Sequence, residues 1–253
     1  MKTGRPLFFS LLIAGLLLTA GSGLSAQGTA APGIDFQLSL GDGAEGADVG
    51  VAIQLVVLMT LLSLAPAIVL LMTSFLRIII VLGFVRNAIG MQSTPPNQVL
   101  VGMALFLTFF LMMPVGEEIM DEAIAPMRAG DITSMEALDR SMIPLRTFML
   151  RQTSPTDIEF FLGLSGLEEM TPEELPMRIV IPSFVMSELR TAFQMGFLIF
   201  LPFLVVDFII ATVLMAMGMM MMPPVIVSLP FKILLFVLVD GWFLIVQSIV
   251  RSF

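Results

Sequence analysis

Met215-Ala-Met-Gly-Met-Met-Met-Met-Pro-Pro224 joins two long apolar segments, 195–216 and 225–250, and how this junction is read decides the fold. The flanks have the composition of helices in lipid or in a protein core. Gly218 relaxes the backbone between them. Pro223 and Pro224 forbid simple continuation of the helix, because each lacks an N–H and clashes with the preceding turn. The stretch is therefore a hairpin tip, and the chain around it is expected to be all-α. The side chains of Met215, Met217, Met219, Met220, Met221 and Met222 are unbranched, polarizable thioethers that can fill an irregular gap and then rearrange. Two readings follow from chemistry alone: a soft plug, or a tolerated filler in a hydrophobic hairpin.

The composition places the tip in a membrane protein. With 57% hydrophobic residues, 13% charged residues and a mean hydropathy of +1.01, the 253-residue chain is too apolar for an ordinary soluble domain. Cys, His and Tyr are all absent. Disulfides, thiolate or imidazole metal sites and Ser-His or Cys-His catalysis are thereby excluded, and neither a metal nor a cofactor is expected. The net charge of −8 is concentrated in one polar segment, where thirteen acids between Glu117 and Glu174 face Arg128, Arg140, Arg146 and Arg151. Nucleic acid is an unsuitable partner, since phosphate binding needs clustered Lys and Arg.

The chain then divides by pattern. Residues 1–26, with Lys2 and Arg5 before an apolar run and small residues through Ser22, Gly23, Ser25 and Ala26, have the layout of a secretory signal peptide. The apolar run is short of the ~20 residues of a membrane crossing. Residues 27–50, with six Gly and four acids, read as a flexible leader outside the cytoplasm. Residues 51–115 form a first apolar hairpin, with breaks expected at Pro66, Arg77 and Gly83 and the second helix ending around Pro114. Residues 116–186 form a polar periplasmic segment of short helices. Thr133-x-x-Glu136 is a capping box, and Ser154-Pro155 and Thr171-Pro172 are further helix starts. Residues 187–253 form the second hairpin, with a bend expected at Pro202. Ser187, Thr191 and Gln194 share one face at its start, a polar stripe that lines an aqueous path or bonds to a neighbouring helix.

Four charges sit where lipid or apolar packing makes them costly: Arg77, Asp207, Lys232 and Asp240. Arg77 and the nearby Arg86 serve as topology signals or as packing residues. If the hairpin turns near Met221, antiparallel pairing leaves Lys232 and Asp240 each ~6 Å along the axis from the level of Asp207, at 1.5 Å per residue. An Asp207 to Lys232 pair is expected, with Asp240 completing the site or meeting another chain. A proton relay is the rival, although no His, Tyr or further Glu continues a path.

Three segments carry a family likeness: Ser74-Phe-Leu-Arg-Ile-Ile-Ile-Val-Leu-Gly-Phe-Val-Arg-Asn87, Pro95-Pro-Asn-Gln-Val-Leu-Val-Gly-Met-Ala-Leu-Phe-Leu-Thr-Phe-Phe110 and Phe231-Lys-Ile-Leu-Leu-Phe-Val-Leu-Val-Asp-Gly-Trp242. They resemble the FliP family of flagellar type III export-gate proteins, and Met215 to Pro224 looks like that family's Met-rich gating loop. The injectisome counterpart shares much of this core, but the signal peptide and leader look more like the flagellar member. The resemblance implies a non-enzymatic inner-membrane protein of the flagellar basal body. It implies assembly as a pentamer with FliQ and FliR into a helical pore complex, with FliO assisting and FlhB and FlhA completing the apparatus. It also implies that much of the complex is lifted towards the periplasm, that unfolded flagellar subunits are conducted, and that Met side chains from several copies close the pore. A proton-coupled transporter using Asp207, Lys232 and Asp240 is the rival from another class and predicts internal repeats, of which the sequence carries no convincing one.

Overall fold

Apolar residues recur every three or four positions through Ile78, Val81, Leu82, Val85, Ala88 and Ile89, all buried, so this short helix has to be covered on several sides. It is α2 (Phe75–Ile89). The computed structural model describes residues 47–91, 94–166, 171, 174–219 and 222–253, with side chains from 53 onward. The expected signal peptide and all but the last four residues of the expected leader lie outside the described residues. Two units are distinguished, 1–51 and 52–253. The only part of the first that is described, residues 47–51, is backbone of α1 (Ala47–Leu71).

After α2 come α3 (Asn97–Ile119), a π-helical turn (Met120–Ile124) and α4 (Ala125–Ala129). The polar segment continues as α5 (Ser134–Gln152) and α6 (Pro155–Ser165). The long α7 (Met177–Ala216) leads to the Met tip, and α8 (Pro224–Leu238) and α9 (Gly241–Arg251) return from it. The regular elements among the described residues are all helices, and α1, α3 with α4, and α7 are each long and apolar enough to cross a membrane. α8 and α9 are bent by 64° at their junction and together have the length and composition of a broken span or a re-entrant loop.

Several boundaries differ from the sequence expectation, each for a local reason. The first apolar block breaks at Met72–Ser74, while Pro66 lies inside α1 and Gly83 inside α2. The break is built by Thr73, whose hydroxyl donates to the Leu70 carbonyl at 2.8 Å and accepts from the Phe75 N–H at 3.3 Å. A side chain thus serves backbone groups that a continuing helix would use. α3 runs through Pro114 to Ile119, past the expected end of the second helix. The segment after Pro224 is two helices, because Asp240 takes a left-handed conformation (φ 52°), which Asp tolerates better than most residues. Thr133 does cap α5, accepting from the Glu136 N–H at 3.3 Å. Ser154 precedes α6 without a side-chain cap bond, and near Thr171 the next helix starts only at Met177.

Two apolar clusters join helices that follow α1. One centres on α2 and takes in Leu100, Ala104 and Leu107 of α3, Ala192 and Phe203 of α7, Phe236 of α8 and Ile245 and Ile249 of α9. The other joins Met72 and Met149 to Leu175, Ile179, Val180 and Phe184, with Ile158, Phe161 and Leu162 of α6 against it. α2 and α7 run in the same direction, since Arg77 meets Glu188 and, further along both, Phe84 meets Phe193 edge-on at 5.3 Å. α8 runs opposite to α7, with Phe236 beside Phe203 and Lys232 beside Asp207.

The α2–α7 approach depends on a missing side chain: a Cβ at Gly196 would lie 2.4 Å from the Phe84 ring, whereas one at Gly83 would meet nothing within 4 Å. Gly196→Ala is therefore expected to destabilise by roughly 1–3 kcal/mol through overpacking, while Gly83→Ala is neutral or stabilises by up to about 1 kcal/mol through helix propensity. Thermal unfolding of the two variants in detergent, followed by the fluorescence of Trp242, checks this ordering. Trp242 is the only tryptophan in the chain.

Candidate functional site

Three polar constellations are threaded through the apolar helices, and each joins elements distant in sequence. The first surrounds Arg77, which is 2% exposed. Its Nε donates to Glu188 Oε2 at 2.8 Å and its Nη2 to Glu188 Oε1, a two-pronged ion pair with a carboxylate that is itself fully buried. Nη2 also donates to Gln152 Oε1 at 3.1 Å, and Nη1 donates to the Ser252 carbonyl at 2.6 Å and the Ser252 hydroxyl at 3.0 Å. The five N–H groups of the guanidinium are all used. The Phe253 ring lies 3.9 Å from its central carbon, and Gln152 Nε2 donates to the Phe253 carbonyl at 2.9 Å. Arg77 is here a packing residue joining α2, α5, α7 and the segment after α9.

The second lies towards the tip. Asp207 Oδ2 accepts from Lys232 Nζ at 2.6 Å and Asp207 Oδ1 from the Ser228 hydroxyl at 2.5 Å. Ser228 and Lys232 stand one turn apart on α8, both buried, so one carboxylate on α7 meets two donors on one face. Asp240, expected among the buried charges, is instead exposed and makes no ion pair among the described residues. Its position at the α8–α9 break, not charge pairing, is what the fold uses. Within this chain Asp240 does not complete the Asp207–Lys232 site.

The third involves the expected polar stripe. The buried Ser187 hydroxyl donates to Asp157 Oδ2 at 2.5 Å and accepts from the Ser154 N–H at 2.9 Å, while Arg190 Nη2 donates to Asp157 Oδ1 at 2.5 Å. These bonds dock the start of α6 on α7. Thr191 lines a hollow of about 270 Å³ beside them, and Gln194 is exposed. The stripe is thus divided: one member bonds to a neighbouring helix, one lines a hollow and one faces outward.

At the tip, α7 ends at Ala216 and Gly218 takes a left-handed turn (φ 76°) before Pro223 and Pro224 open α8. Met215, Met217, Met219 and Met222 are exposed, whereas Met220 and Met221 lie outside the described residues.

The sequence reading missed Glu188, Gln152 and Ser228. Glu188 carried a signal, being an acid beside Ser187 about three turns into α7, on a helix with only one other carboxylate, Asp207. Gln152 and Ser228 carried none, because a lone amide or hydroxyl is ordinary in a helix.

The profile of the FliP family matches residues 58–249. The flagellar biosynthetic protein FliP of Pectobacterium carotovorum is 53% identical over 203 residues, covering 80% of this chain and 79% of its own length. That of Bacillus subtilis is 51% identical over 209 residues, covering 81% and 94%. That of Borreliella burgdorferi is 44% identical over 225 residues, covering 87% and 89%.

Removing one half of a buried ion pair strands the other. Arg77→Met is expected to destabilise by about 3–5 kcal/mol, and adding Glu188→Met to recover most of that loss. Lys232→Met costs less, about 1–2 kcal/mol, because the Asp207 carboxylate left behind is 28% exposed and keeps its bond from Ser228, whereas Asp240→Asn stays within about 0.5 kcal/mol because Asn also accepts the left-handed conformation. Unfolding midpoints of the four variants in detergent read out both comparisons.

Proposed function

The chain belongs to the FliP family, and on that premise we propose that it is a core component of the flagellar type III protein export gate in the inner membrane, conducting unfolded flagellar subunits with its Met-rich tip as the seal. Membership in a family whose relatives are named flagellar biosynthetic proteins supports the flagellar assignment over an injectisome. It supports a transport component, not an enzyme. The membrane setting is supported by three apolar helices of sufficient length and by the bent apolar pair α8–α9.

The observation that carries the sealing role is the tip itself. Four described thioethers, Met215 and Met217 at the end of α7 and Met219 and Met222 between Gly218 and Pro223, are exposed in the single chain although each is apolar. Several copies arranged about an axis would bring such side chains together and cover them. A collar of thioethers excludes water and ions yet can part for an extended polypeptide, because no directional bonds must be replaced. Self-assembly as a pentamer with FliQ and FliR, assisted by FliO and completed by FlhB and FlhA, is the setting in which this collar closes. The assembled particle then faces largely towards the periplasm, and residues 116–186 form its periplasmic segment. Residues 1–26 serve as the signal peptide that directs the following leader out of the cytoplasm.

Replacing Met217, Met219 and Met222 together by Ser tests the seal in cells that produce the assembled gate. The expected result is an assembled complex with increased ion leak across the inner membrane. Assembly with unchanged leak would reject the seal, and lost assembly without leak would favour a structural scaffold.

A further inference from the structure

Beside the Arg77 site, a hollow of about 270 Å³ is lined by Arg77, Arg151, Arg190, Thr153, Thr191 and Ser252 among others. Its charges do not cancel. Glu188 neutralises Arg77 and Asp157 neutralises Arg190, but Arg151 is exposed and has no ion-pair partner among the described residues. Arg190 is 49% exposed and pairs with Asp157 through Nη2, which leaves further N–H groups of its guanidinium to donate elsewhere. The hollow therefore offers one net positive charge and spare guanidinium donors, while its Thr153, Ser187 and Ser252 hydroxyls already donate to Met149, Asp157 and Ile249.

The same helix carries a second feature, aligned with the first. From Arg190 onward, Phe193, Phe197, Leu201, Leu204 and Phe208 follow at steps of three or four and are all exposed, so they form a single stripe along α7. From Phe193 to Phe208 the stripe is about 22 Å long at 1.5 Å per residue. One leaflet of a bilayer is about 15 Å of hydrocarbon, half of the ~30 Å core. A cationic, hydroxyl-lined hollow thus stands at the head of an apolar track long enough for one leaflet, on a helix apolar enough to cross a membrane.

We propose that this is a site for an anionic phospholipid, its phosphate and headgroup held by Arg151 and Arg190 and its acyl chains lying along Phe193, Phe197, Leu201 and Leu204. A single molecule carries the negative charge and the apolar chains in the order in which α7 presents their complements. Free phosphate would use only the hollow. A second copy of the chain would use the stripe and would have to bring its own acid to Arg151. The site is separate from the Met tip and does not depend on whether that tip seals a pore.

The full chain, purified in detergent and stripped of lipid, is to be mixed with equal amounts of phosphatidylglycerol and phosphatidylcholine and the bound lipid counted by native mass spectrometry. Phosphatidylglycerol is expected to be favoured, and Arg151→Gln to weaken it by about tenfold, the loss of one charge-assisted bond to phosphate. Arg128→Gln, which removes the same charge from the exposed end of α4, is expected to leave binding unchanged, and Phe197→Ser to weaken both lipids. Arg151 is exposed, and Trp242 fluorescence melts verify that each variant is folded. Equal binding of the two lipids overturns the proposal, as does equal loss in Arg151→Gln and Arg128→Gln. It is also overturned if inorganic phosphate displaces the lipid completely, or if lipid-free dimers form at the expense of the bound lipid.

Discussion

The Arg77–Glu188 ion pair is the constraint around which the described helices are arranged. Neither charge is tolerable alone among apolar side chains, so each makes the other obligatory. The guanidinium goes further and uses its remaining donors on Gln152 and Ser252. One residue of α2 therefore holds α7, the end of α5 and the segment after α9 together. The pair sits where the two apolar clusters meet, with Val81 and Leu82 following it on α2 and Phe184 preceding it on α7. Its geometry also fixes the register of α2 on α7, which brings Phe84 onto Gly196 and lets two helices approach where any Cβ would collide.

From that anchor the outer surface of the chain follows. α7 extends from Glu188 to the tip over 29 residues, about 44 Å at 1.5 Å per residue, and Asp207 is the one carboxylate on the way. Ser228 and Lys232 satisfy it, so the returning α8 is held in register by polar bonds while its other contacts are apolar and less directional. Outside these sites the helices remain greasy. Residues 53–71 of α1 are almost wholly exposed, and so is the stripe along α7. Patches of this extent mark lipid or neighbouring subunits, as expected of a membrane component that works within a larger assembly.

Much of this was legible in the residues, and the failures have physical causes. Composition and the Gly218 and Pro223-Pro224 signals identified helical hairpins and the place of the tip, because breakers act locally. Prolines inside apolar helices misled where they were read as ends or breaks, as Pro66 and Pro114 are both carried through. Conversely, the actual breaks at Thr73 and Asp240 come from one hydroxyl bonding to backbone and one residue accepting a left-handed turn. Neither announces itself by composition. The level of Asp207 against Lys232 followed from counting residues back from a hairpin turn. The partner of Arg77 did not, since it lies 111 positions away and only the packing of α2 beside α7 brings it near.

The flagellar export reading rests on family membership, and the physical account of this chain rests on the buried pair as a joint between distant helices. Hydrogen exchange of the full chain with and without Glu188→Gln tests that joint most directly. If the pair unites the helices, exchange quickens together at residues 75–80, 145–152 and 245–252, while residues 224–235 are unaffected. Acceleration confined to residues 185–191 would contradict the account, since it would make the pair a local ornament of α7.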